Sequence, residues 1–355
     1  MANNVGILGL GMYLPPEIRR NDWWSPEVTA GWRRERPAPE PLRVARSEGV
    51  ERVLSALAAQ ADDPFQGAVE RRIMPDTMSV FDMEEHASRA AIERSGIALD
   101  AIDLVLTHTV APDELLSNPA CQLHHRLGLA RQCIAMQVDA ATYSFVLQLT
   151  LAESLIKSGR ARYALLVQSC CASRLVDVHD PVSAVFGDGA TAVVVGPVQD
   201  GYGILGTAHH ADGRYGRSLV ASVRGRRWFD EGRVTVHIAD PREMQDVLLQ
   251  TADVCKESVE VALADAKIAA SEVGFLCVHQ GTPWLRRVVQ DYLGLSHARS
   301  IELFSRVGYL FSAILPASLA MAEQEELVRE RDIVVMTGGG TGMTYGAIVL
   351  RWGGR

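Results

Sequence analysis

Ile102-Asp-Leu-Val-Leu-Thr-His108 and Val273-Gly-Phe-Leu-Cys-Val-His279 are two short apolar runs of strand type, and each ends in histidine. Each follows a helical pattern and a break. Asp82 to Ser95 and then Gly96-Ile-Ala-Leu-Asp100 precede the first, while Thr251 to Ala266 and then Lys267-Ile-Ala-Ala-Ser271 precede the second. What comes later repeats as well. Arg162-Tyr-Ala-Leu-Leu-Val167 and Gly189-Ala-Thr-Ala-Val-Val-Val195 are answered by Asp332-Ile-Val-Val-Met336 and Gly346-Ala-Ile-Val-Leu350. The openings, Val5-Gly-Ile-Leu-Gly-Leu10 and Gly203-Ile-Leu-Gly-Thr207, also match. A twofold repeat of strands alternating with helices predicts an α/β fold of two duplicated halves, each a mixed, mainly parallel sheet covered by helices. The join near Pro197-Val-Gln-Asp-Gly201 assigns residues 1–198 to the N-terminal half and 199–355 to the C-terminal half.

One region, about residues 21–71, has no counterpart. It holds Trp23, Trp24 and Trp32, the run Arg33-Arg-Glu-Arg36 and the proline-rich Pro37-Ala-Pro-Glu-Pro41. It reads as an N-terminal insertion laid over the first half, with a helix over Val50 to Ala61, and it could form part of an entrance.

The chain's 355 residues, 48% hydrophobic and 22% charged, suit a globular protein with an ample core. A formal net charge of -8 disfavours broad binding to nucleic-acid phosphates, which needs a basic face, so small molecules or proteins are the expected partners. The six cysteines follow no Cys-x-x-Cys spacing and most lie in apolar surroundings, as reduced cytoplasmic thiols do. The N-terminus lacks a basic region leading into an apolar run, and no uncharged apolar stretch approaches membrane-spanning length, so neither an export signal nor a membrane span is expected. The pairs His124-His125 and His209-His210 invite a metal reading. Adjacent side chains on one element point apart, however, and no carboxylate–cysteine set completes a site, so no metal is expected.

In open α/β layouts, strand carboxyl ends and the helix starts beyond them carry ligands and chemistry. Met136-Gln-Val-Asp-Ala-Ala-Thr-Tyr-Ser-Phe145 is such a strand-to-helix turn, with Thr142 at its head, and His279 occupies a strand end in the other half. Together with Phe186-Gly-Asp-Gly-Ala190, Val278-His-Gln-Gly281 and Gly338-Gly-Gly340 followed by Thr344-Tyr-Gly346, these motifs resemble the thiolase superfamily over nearly the whole chain. Within it they resemble the ketoacyl-acyl-carrier-protein synthase III group. The opening Tyr13-Leu-Pro-Pro and Asn21-Asp-Trp-Trp24 further resemble the acyltransferase-like branch of antibiotic and polyketide pathways.

The resemblance implies a Cys, His, Asn triad. His279 matches the histidine, Thr142 stands at the cysteine position, and in Gly308-Tyr-Leu-Phe-Ser-Ala-Ile-Leu-Pro316 Tyr309 replaces the asparagine. A thiol is far more nucleophilic near neutral pH than an alcohol. The asparagine is a neutral donor to the enolate of decarboxylative condensation, and one such donor can be worth about 3 to 4 kcal/mol. Condensation is therefore disfavoured. Tyr309 carries a hydroxyl donor on a larger ring, with its oxygen expected several ångströms further out. Simpler acyl transfer needs only a base and an oxyanion hole. His279 fits the first, and backbone N–H groups at Thr142 and near Gly339 fit the second. Thr142 either becomes acylated or only shapes the pocket, and its β-methyl favours the latter.

By the same resemblance the acyl donor is an acyl-coenzyme A or acyl-carrier protein, and no cofactor is implied. Trp32 would neighbour the pantetheine entrance, and Leu116 would reach across a homodimer into the partner's tunnel. Arg33, Arg34 and Arg36, or Arg286 and Arg287, could meet phosphates or an acidic carrier. Asp188 reads as loop support, and Cys170-Cys171 follows a strand but does not sit at a helix start lined by an oxyanion hole, which disfavours it as a substitute thiol. The rival class is a catalytically inactive subunit forming a heterodimer with an active paralogue.

Overall fold

The computed structural model describes residues 4–34 and 41–355. The chain opens with β1 (Val5–Tyr13), β2 (Glu17–Arg20), α1 (Pro26–Arg34), α2 (Glu48–Ala59) and β3 (Glu70–Ile73). Next come α3 (Val80–Ser95), β4 (Leu104–Val110), α4 (Pro119–Leu127), β5 (Ile134–Gln137), α5 (Ser144–Lys157), β6 (Ala164–Cys171) and β7 (Asp188–Pro197). Beyond them lie β8 (Gly203–Ala211), β9 (Val220–Val223), β10 (Val234–His237), α6 (Pro241–Ala266), β11 (Val273–Val278) and α7 (Leu285–Tyr292). The last elements are α8 (Phe304–Val307), α9 (Ile314–Gln324), β12 (Ile333–Gly340) and β13 (Thr344–Arg351).

The duplication is explicit in the sheets, whose strand orders are β1-β7-β6-β4-β5 and β8-β13-β12-β11. Strand for strand, β8, β13, β12 and β11 answer β1, β7, β6 and β4, including their directions. The expectation of mainly parallel sheets needs correcting, because β7 and β13 run antiparallel to both of their neighbours. The physical reason is the connection. β12 returns into β13 through residues 341–343, and so short a link can join only antiparallel strands. The return from β6 to β7 likewise carries no α-helix to act as a crossover.

Between the two sheets lie α5 and α9, both apolar around most of their circumference, the pattern of a helix enclosed by protein. Phe145, Val146 and Leu149 of α5 and Leu315 and Leu319 of α9 share one core with Leu106, Leu166 and Val193 of the first sheet and Met336 and Ile348 of the second. Each such side chain contributes about 1.5–3 kcal/mol on burial. α3 and α4 cover the outer face of the first sheet, and α6 and α7 that of the second. Gly9 and Gly206 allow the same close helix approach in each half. A Cβ on Gly9 would lie 2.3 Å from the Ala91 carbonyl oxygen of α3, and one on Gly206 2.4 Å from that of Ala262 in α6.

The unrepeated region is the excursion between β2 and β3, closed by their antiparallel ladder from Glu17↔Ile73 to Arg20↔Glu70. Instead of lying over the first half alone, it spans both. Its aromatic part, Trp24 and Trp32, packs on Ala184 of the first half, with Trp24 Nε1 donating to Ser183 Oγ at 3.1 Å. Its helix α2 packs Val50 and Val53 on α6 and α7 of the second half, because those residues form an apolar stripe that matches Leu249 and Val289.

Candidate active site

His279 follows β11 directly, its N–H donating to Thr337 O at 2.8 Å. The imidazole sits beside Gly338, where a Cβ would lie 2.3 Å from that of His279. Thr142 approaches from the other half. Ala141 before it takes a left-handed backbone (φ 51), and this turn is tied by Ser144 Oγ, which donates to Ala141 O at 2.6 Å and accepts from Ala140 N at 2.8 Å. Thr142 is buried, and its hydroxyl donates to Gly339 O at 2.7 Å. On that side Gly339 therefore offers Thr142 an acceptor. Gly340 packs its backbone closely on Thr142, where a Cβ would lie 2.8 Å from Thr142 Oγ1 and 3.1 Å from its N, so only glycine fits.

Tyr309 completes the cluster. Its N–H donates to Val185 O at 2.8 Å, its carbonyl accepts from Gly187 N at 3.1 Å, and its ring packs on Phe186 and Phe311. The hydroxyl lies 3.0 Å from His279 Nε2 and also faces the Thr142 hydroxyl. The longer side chain thus does not carry its oxygen away from the histidine; it places the oxygen between the two other residues. Burial lowers His279 to about 4, so the imidazole is neutral at pH 7, and burial raises Tyr309 well above the usual phenol range. Among the described residues, His279 Nδ1 has no hydrogen-bond partner.

Other candidate residues fall elsewhere. Trp32 is buried in the aromatic cluster and forms part of the wall of a cavity of about 570 Å³, together with Asp63, Asp177, Asp180 and Arg224. Leu116 is fully exposed in the loop between β4 and α4. Asp188 supports its loop by accepting from Met74 N, Ser173 N and Ser173 Oγ at 2.8, 3.1 and 2.5 Å. Burial holds the Cys170 and Cys171 thiols well above their ordinary range, which does not suit a substitute nucleophile. Arg286 is tied inward to Gln290 and Ser300, while Arg287 is exposed. The side chains of Arg33 and Arg34, and Arg36 itself, lie outside the described residues.

Sequence reasoning missed Arg71. It is fully buried, donates to Ala184 O, Asn21 Oδ1 and Val69 O, and stacks over Trp24. Its Cγ lies against Gly308, next to Tyr309, and burial lowers it to about 10. Nothing in Glu70-Arg-Arg72 marks one arginine as internal except the alternation of a strand. Among the described residues, no cluster of three or more His, Cys, Asp or Glu could hold a metal, and no helix is long and apolar enough to cross a membrane.

A strand-end histidine of one duplicate, set against a helix-start residue of the other in a thiolase-like fold, defines the class of acyl-transferring and condensing enzymes of the ketoacyl synthase III type. The sequence matches 3-oxoacyl-[acyl-carrier-protein (ACP)] synthase III over residues 136–213, and the C-terminal part of that family over 263–352. It is 30% identical over 357 residues to beta-ketoacyl-[acyl-carrier-protein] synthase III 1 of Bacillus cereus, with 99% of each chain covered. A crystal structure of 3-oxoacyl-(acyl carrier protein) synthase III from Pseudomonas aeruginosa superposes with a TM-score of 0.78 at 26% identity, covering 98% of both chains. The priming β-ketosynthase of the R1128 polyketide pathway has the same fold, with a TM-score of 0.78 at 24% identity over 98% of this chain and 96% of that one. The chain belongs to the β-ketoacyl-acyl-carrier-protein synthase III family.

Proposed function

We propose that this protein transfers an acyl group from a coenzyme A or carrier-protein thioester to an alcohol, amine or carrier-bound acceptor in secondary metabolism, without decarboxylative condensation. The observation that carries the reading is the Tyr309 hydroxyl at 3.0 Å from His279 Nε2, where the family's asparagine would otherwise assist an enolate. His279, neutral at pH 7, is the general base and takes the acceptor's proton either directly or through the Tyr309 hydroxyl. The Thr142 N–H, close to the Gly340 backbone, holds the thioester carbonyl oxygen. Because the Thr142 hydroxyl points its proton at Gly339 O, away from the base, the acceptor attacks the thioester directly and Thr142 shapes the pocket; the carbon–sulfur bond then breaks and the coenzyme A or carrier thiol leaves with the proton returned by His279. No cofactor takes part. The working form is a cytoplasmic homodimer in which the exposed Leu116 is covered by the second subunit.

Intact-mass analysis after incubation with a panel of acyl thioesters and acceptors tests this. Acylated acceptor should form without a protein ester, persist in Thr142→Ala and vanish in His279→Ala. A protein ester lost in Thr142→Ala would make Thr142 the nucleophile, and carbon dioxide release from a malonyl thioester would restore condensation. One observation favours a second reading, an inactive partner subunit of a cysteine-bearing paralogue. Thr142 and His279 are 2% and 6% exposed, and the Tyr309 hydroxyl lies between them. Co-purification with such a paralogue, without turnover by the isolated chain, would support it.

A further inference from the structure

His108, the counterpart of His279 in the first duplicate, has both ring nitrogens engaged. Nδ1 lies 2.6 Å from Ser312 Oγ, and Nε2 lies 3.3 Å from Asp139 Oδ1. A carboxylate only accepts, so Nε2 carries a proton and donates to Asp139, while Nδ1 shares one hydrogen bond with the serine hydroxyl. Asp139 is held as a carboxylate, since its hydrogen bond with His108 lowers it to about 2. The same Oδ1 also accepts from Ala141 N at 2.8 Å.

Each end of this chain of bonds meets a strained residue. Asp139 fixes Ala141, a non-glycine residue at φ 51 immediately before Thr142. Ser312 follows Phe311 at φ 49, in the turn Phe311–Ala313 that starts two residues after Tyr309. L-residues adopt this backbone only where neighbours over-determine it. The two turns lie far apart in sequence, and His108, at the end of β4 between them, is buried.

We propose that Asp139, His108 and Ser312 form a positioning relay that holds the turn carrying Thr142 in register with the turn carrying Tyr309. A histidine that merely filled the core would stabilise its surroundings without linking these two turns. The relay rests on the acyl-transfer reading only for its effect on rate; its structural coupling is read independently.

The test uses the full chain and the variants Asp139→Ala, Asp139→Asn and Ser312→Ala. Selective histidine ¹⁵N spectra of the wild type should show His108 Nε2 protonated and hydrogen-bonded. Hydrogen exchange should rise at residues 309–313 in Asp139→Ala and at residues 140–143 in Ser312→Ala, each change appearing at the far end. Asp139→Asn, which keeps an acceptor oxygen, should restore most of the protection. In thioester turnover, Asp139→Ala should lower kcat at least tenfold with KM within twofold, and Asp139→Asn should recover it. An Nε2 without a proton, or exchange that rises only around the mutated residue, would overturn the relay. If the wild type shows no turnover, the acyl-transfer reading fails, and the Nε2 proton and exchange still decide the relay.

Discussion

Between pH 7.5 and pH 4 two buried groups should pull the stability of this protein in opposite directions. His279 is 6% exposed and burial drops its imidazole from 6.5 to about 4. As the pH falls the unfolded chain takes this proton first, so stability fully present above pH 6.5 is lost as the pH falls through 4. The gap of about 2.5, at about 1.4 kcal/mol for each pH unit, is worth about 3 kcal/mol. Glu84 is fully buried, and burial raises its carboxyl from 4.5 to about 7 against the opposing hydrogen bonds from Ser169 and Thr109. Its sign is reversed, with stability fully present below pH 4.5 and lost as the pH rises through 7, again by about 3 kcal/mol. The two nearly cancel in the wild type and separate in variants. Urea unfolding at pH 7.5 and pH 4 should show the wild type's advantage over His279→Gln shrinking by about 3 kcal/mol at the lower pH. Its advantage over Glu84→Gln should grow by a similar amount. Differences that do not change with pH, or that share one sign, would refute the argument that burial sets both groups. The same low His279 value implies that transfer relying on a neutral imidazole keeps its plateau below pH 6.

Three further outcomes are expected. Tyr309→Phe leaves His279 Nε2 buried without a partner and should cost about 1–3 kcal/mol in denaturant unfolding, while acceptor-dependent thioester consumption falls. Arg71→Lys cannot reach Asn21 Oδ1, Val69 O and Ala184 O with one ammonium and should cost about 2–3 kcal/mol, read from the urea midpoint. Under the proposed homodimer, Leu116→Asp at a fully exposed position should leave the unfolding of the subunit unchanged and move sedimentation toward the monomer; identical sedimentation of the two proteins would remove Leu116 from the contact.

Much of the fold was legible because each half had to bury similar strands, and the run ending in His108 and the run ending in His279 became β4 and β11. Strand direction was less legible. Alternation of strand and helix suggests parallel pairing, whereas the residues that reverse β12 into β13 are too few to register as a separate signal. The placement of α2 was hidden for another reason, since an apolar stripe such as Val50 and Val53 announces a partner without saying which half supplies it. The meeting of Thr142, His279 and Tyr309 followed from motif positions. What the motifs could not supply was the length of the tyrosine side chain measured against a frame fixed by Phe186 and Phe311. The contacts of His108 with Ser312 and of Arg71 with Ala184 cross 204 and 113 residues, a distance at which local spacing carries no information.

Tyr309 is pinned through both its amide and its carbonyl to the stretch around Phe186. Its main chain is in effect a fixed post, and only the phenol can swing. Admission of a bulky guest between the threonine and the imidazole would therefore be governed by rotation about the Cα–Cβ bond of Tyr309. A flip about Cβ–Cγ leaves the hydroxyl oxygen on its axis, so the swing about Cα–Cβ against the stacked rings of Phe186 and Phe311 would set the tempo of entry.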